Sequence, residues 1–99
     1  MIVRGDVEHL VLPSEIDRVS ATDFERDLHR ALERGVRHVV LHLDAVRSID
    51  EAGLDALLGA TEAAELAGAD LRILPGPDHV MSVVEAAGLS GRLPFVGYP

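Results

Sequence analysis

The 99-residue chain contains no cysteine, which removes disulfides, thiolate metal sites, iron–sulfur clusters and cysteine nucleophiles together. It has no tryptophan, and aromatic residues make up only 3%. The interior therefore has to be filled by Leu, Val, Ile and Ala, and surfaces on which bases could stack are nearly absent. Cations are scarce as well: 9 Lys and Arg face 17 Asp and Glu, for a formal charge of −8. That balance repels nucleic-acid backbones and anionic membrane surfaces and favours basic or neutral partners. No uncharged run approaches the roughly 18 residues of a membrane span. The opening Met1-Ile2-Val3-Arg4-Gly5-Asp6 has neither the cationic start nor the apolar stretch of a signal peptide, so the expected location is cytoplasmic. What is present is a folded composition, 47% hydrophobic and 26% charged, at a length that suits one domain over residues 1–99.

Along the chain the hydrophobic period alternates. Ile2 to Arg4, Gly5-Asp6 and Val7 to Pro13 read as a β-hairpin closed by Pro13. From Ser20, the residues Ala21, Phe24, Leu28, Ala31 and Leu32 fall at helical spacing, with Ser20 as the expected N-cap, Asp23 as its capping-box partner and Gly35 as the stop. Val36 to Leu43 alternates as a strand, with Val39, Leu41 and Leu43 on one face and His38, Val40 and His42 on the other. Asp50 can cap a second helix of roughly 18 residues with Leu54, Leu57, Leu58, Thr61, Ala64 and Leu66 on its apolar side, stopped by Gly68. Ala69 to Leu74 is a further strand, Pro75-Gly76-Pro77 breaks it, and Asp78 can cap a last helix through Val80, Val83, Val84 and Ala87. Phe95-Val96 can add a short final strand. Strands alternating with helices imply an α/β fold: a mixed sheet that opens with the hairpin, later strands parallel, helices packed on the sheet.

The stretch richest in chemistry is Asp44 to Leu54, a strand exit followed by a helix start loaded with carboxylates. In open α/β sheets ligands bind beyond the carboxyl ends of the strands. Asp50 and Glu51 can equally be a cap and a favourable first-turn charge, each contributing about 0.5 to 1 kcal/mol. Clustering of Asp17, Asp44, Asp50, Glu51 and Asp55 would make an acidic patch suited to a partner's Arg or Lys groups. His38 and His42 share a strand face, but four residues of strand hold their Cα atoms about 13 Å apart, too far to chelate one ion. His9, His29 and His79 are scattered singly, so no metal site is expected. No phosphate-binding glycine loop and no nucleophile elbow is present, which argues against an enzyme and against a bound cofactor.

Asp50-Glu51-Ala52-Gly53-Leu54, preceded by the strand Val39 to Asp44, resembles the signature of STAS domains, the anti-sigma factor antagonist family. Glu15-Ile16-Asp17 with Ser20-Ala21 is similar to a second family segment, with Ser14 where Gly is usual, and Ala86-Ala87-Gly88-Leu89 is similar to the closing turn. The resemblance implies a non-catalytic module that binds a serine-kinase-type anti-sigma factor and is released by phosphorylation. The implied contact residues are Asp17, Asp50, Glu51, Ala52, Gly53, Leu54 and Leu57. The family's acceptor hydroxyl belongs to the residue before the motif glycine, which here is Ala52, and Glu51 replaces the other hydroxyl of the usual site.

Several readings stay open at this point. Glu51 is a stand-in for phosphate or a simple stabilising charge. The first is a poor match, since Glu51 brings about one negative charge against roughly 1.5 to 2 for phosphoserine, from a position rotated about 100° round the helix. Ser48 is a displaced phosphoacceptor or a solvated loop serine. Asp17 lies beside Asp50 or caps a turn, and Gly53 lets a partner backbone approach or lets its own helix pack on the sheet. A small STAS subunit that docks on the ATPase of a lipid-transporting ABC complex is the other system the resemblance admits.

Overall fold

The computed structural model describes residues 7–96. Its elements run β1 (Val7–Val11), β2 (Glu15–Ile16), α1 (Arg18–Glu33), β3 (His38–His42), β4 (Ser48–Ile49), α2 (Glu51–Leu66), β5 (Asp70–Leu74) and α3 (Asp78–Ala86). β1, β3 and β5 form a parallel sheet in the order β1-β3-β5, and β2 pairs in parallel with β4 as a separate two-stranded ribbon. The α/β class and the parallel later strands are as expected. The first strand and turn of the expected hairpin lie outside the described residues.

Alternation along the strands makes one face of the sheet apolar. Val39, Leu41 and Leu43 are fully buried, flanked by Leu71 and Ile73 of β5. The helices close over this face with Phe24 and Leu28 from α1, Leu54 and Leu57 from α2, and Val80 and Val84 from α3. The opposite face, carrying His9, Val11, His38 and Arg72 among others, stays open to solvent. Among the described residues no helix is long and apolar enough to cross a membrane.

Helix boundaries differ from the sequence expectation in instructive ways. α1 starts earlier, capped by Asp17 rather than Ser20. The Asp17 carboxylate accepts the N–H groups of Val19 and Ser20, while the Ser20 hydroxyl, three residues on, accepts the N–H of Asp17 and completes the capping box. Asp23 has no part in the cap and pairs instead with Arg26. α2 is capped by Asp50 as expected but is shorter, at 16 residues, and its end is set by Gly68, whose φ of 74° suits a residue without a side chain. Leu66 is 91% exposed, on the outer side of a last turn whose Ala64 is buried in the core. In α3 the cap position is taken by Pro77, whose extended backbone leads directly into the helix, so Asp78 is a first-turn charge and makes no cap bond. The inward side of α3 includes Met81, while Val83 and Ala87 face solvent. Phe95 makes a single parallel bridge to Ile73 rather than a strand.

Candidate functional site

The β2–β4 ribbon is what builds the site. Its register pairs Ile16 with Ile49, so Asp17 and Asp50, the next residue of each segment, leave the ribbon side by side and each caps the helix it enters. The Asp50 N–H donates to the Ile16 carbonyl (3.2 Å), and the Asp50 carboxylate accepts the Gly53 N–H (2.9 Å). Asp17 therefore is both a helix cap and the neighbour of Asp50. The Ser20 N–H first, then the Ser20 hydroxyl and the Val19 N–H, stabilise its ionised form and hold its pKa below the ordinary carboxylate value.

Gly53 explains how closely the two helix starts sit. A methyl group there would lie 2.7 Å from the Ile16 carbonyl oxygen and 2.8 Å from both the Ile16 and the Ile49 side chains. Gly53 is buried, Leu54 is 8% exposed and Leu57 is fully buried. These three expected contact residues face the sheet and ribbon; they support the surface and cannot themselves form it. The exposed face of the same turns is a shallow hollow of about 370 Å³ lined by Arg18, Asp50, Glu51, Ala52 and Asp55. It continues between the helices past Ala21, Thr22, Glu25 and Ala56. Ala52 is half-buried in its wall, and Asp50, Glu51 and Asp55 are exposed around it.

Arg18, absent from the sequence expectation, lines both parts of the hollow. It occupies the first position of α1, where the helix dipole disfavours a cation. Asp50, Glu51 and Asp55 line the same hollow, yet Arg18 forms no ion pair among the described residues. With the cap expected at Ser20, Arg18 falls before the helix in the sequence reading; it becomes a first-turn cation only with Asp17 as the cap. Val19, the next residue, is 73% exposed but lines neither part of the hollow. Thr22, one turn on, donates its hydroxyl to the Arg18 carbonyl (2.9 Å).

Asp44 does not join the patch: its carboxylate lies 3.9 Å from His42 and lines no part of the hollow. Ser48 is exposed, and its backbone N–H is held by the Ser14 carbonyl (3.1 Å). The histidines are less scattered than their spacing suggests. His9 Nδ1 lies 2.9 Å from His42 Nε2, and His79 Nε2 lies 2.6 Å from the Arg47 carbonyl oxygen, tying α3 to the loop that leads into β4. Among the described residues no group of three or more His, Asp or Glu is arranged to hold a metal ion.

Comparison with known proteins agrees with this architecture. The fold is similar to that of the protein TM1081, solved by NMR, at a TM-score of 0.81 and 20% identity over 96% of this chain and 77% of that one. It is also similar to the anti-sigma factor antagonist SpoIIAA in its unphosphorylated form, at a TM-score of 0.73 and 19% identity over 97% of this chain and 82% of that one. No curated protein matches the sequence. The sequence profile of the STAS domain matches residues 1–96, and the chain belongs to the STAS domain family.

Proposed function

We propose that this STAS domain is a regulatory protein-binding module that docks a kinase-type anti-sigma factor on the surface formed by the first turns of α1 and α2. The observation that carries the reading is the hollow in which Ala52, at the family's acceptor position, sits half-buried among Arg18, Asp50, Glu51 and Asp55. Such a surface offers a small apolar floor inside a charged rim, suited to a partner that brings basic side chains and that is steered by charge. Gly53, Leu54 and Leu57 act from below by fixing the position of that turn. Ala52 has no hydroxyl to accept a phosphoryl group, so binding at this surface is not switched there. Glu51 serves as a first-turn charge rather than as a phosphate, since it carries about half to two-thirds of the charge of a phosphoserine.

Affinity capture from native lysate, with the wild type beside Glu51→Arg and Ala52→Ser, tests the reading. Recovery of a kinase-fold anti-sigma factor by the wild type, lost with Glu51→Arg and made ATP-sensitive by Ala52→Ser, is the expected result. Recovery of a transport ATPase, or of the same partner undiminished by Glu51→Arg, overturns it.

A further inference from the structure

We infer that His9 and His42 form a two-imidazole site for a divalent transition-metal ion of the nickel or copper class, on the face of the sheet turned away from the helices. The parallel register sets His9 opposite Val40 and Val11 opposite His42, so the two histidines are diagonal neighbours on one face. Their ring centroids are 5.2 Å apart and the planes are inclined at 46°. The 2.9 Å between His9 Nδ1 and His42 Nε2 requires one nitrogen to donate and the other to accept. An ion can take the place of that shared proton. With metal–nitrogen bonds of about 2.0 to 2.1 Å, nitrogens at this separation subtend about 90° at the ion, the angle between adjacent ligands in square-planar and octahedral sites. Tetrahedral zinc would need them to part to about 3.3 Å.

Asp44 adds an independent element. Its carboxylate faces the other nitrogen of His42, Nδ1, at 3.9 Å. At that separation it is not hydrogen-bonded to the ring, but it places a negative charge beside the pair, which favours a bound cation. His9 is exposed and the His42 side chain is 22% exposed, so both rings can turn their lone pairs to one point, and water can fill the remaining positions. The other histidine on this face, His38, lies 3.7 Å from Asp70 and outside the pair.

Titration calorimetry of the untagged chain with nickel chloride and with zinc chloride decides the matter, together with the NMR broadening that paramagnetic nickel produces. The expected result is one ion per chain, nickel bound more tightly than zinc, and broadening centred on residues around 9 and 42. His9→Gln and His42→Gln each weaken nickel binding at least about tenfold, Asp44→Asn weakens it severalfold, and His38→Gln leaves it unchanged. Absence of nickel binding, broadening centred elsewhere, or affinity retained in both His9→Gln and His42→Gln overturns the inference.

Discussion

α1 and α2 begin by the same local device and end up with different jobs. Both follow a ribbon isoleucine, both are capped by an aspartate, and the two aspartates are neighbours. In α2 the third residue is Gly53, which lets the turn press onto the Ile16 carbonyl, and the first is Glu51, an acid at the positive end of the helix. In α1 the third residue is Ser20, which closes a capping box, and the first is Arg18, a cation where the dipole disfavours one. Both first turns are thus capped and packed from within, α2 with the added close contact at Gly53, and their outer sides face the same hollow.

The largest expected effect separates glycines within α2. Alanine in place of glycine adds about 1 kcal/mol of helix propensity, but at Gly53 the new methyl meets backbone that cannot yield, so Gly53→Ala is expected to lower stability by about 2 kcal/mol. Gly59 in the same helix has nothing within 4 Å of an added methyl, and Gly59→Ala should raise stability by about 0.8 kcal/mol. Urea unfolding of the two variants checks both signs; a gain at Gly53 would mean that the close approach is not what fixes the α2 start. Next comes Asp50→Ala, which orphans the Gly53 N–H and should cost about 1 kcal/mol in the same assay. The smallest effect concerns Asp17. Its folded pKa is depressed by the cap, so its contribution is present above the ordinary carboxylate pKa and is lost as pH falls through the lowered value. Asn caps as well without titrating, so Asp17→Asn should flatten the acid limb of the urea midpoint plotted against pH; an unaltered limb would show that the α1 cap carries no pH dependence.

Much of the fold was legible because its signals are local. The inward positions Ala21, Phe24, Leu28 and Ala31 of α1, the alternation of Val39 and Leu41, and the stop at Gly68 rest on neighbours within a turn or two. From sequence alone Ser20 and Asp17 are comparable caps for α1; in the structure they work together, the hydroxyl serving at the third position. The contact surface was less legible. Leu54 and Leu57 belong to the motif and to the core at once, and a one-dimensional reading cannot tell a motif residue that touches a partner from one that props the turn.

Near-neighbour spacing specified the three helices, the strands that become β1, β3 and β5, and the Asp50 cap. The two-residue strands at Glu15–Ile16 and Ser48–Ile49 are too short to carry a period, and their pairing joins segments more than thirty residues apart. That pairing brings Asp17, Arg18, Asp50 and Glu51 to one place, and the β1–β3 register likewise brings His9 to His42. Such encounters depend on where the chain returns after a helical crossover, which is decided by burying one face of the sheet and not by any residue's immediate neighbours.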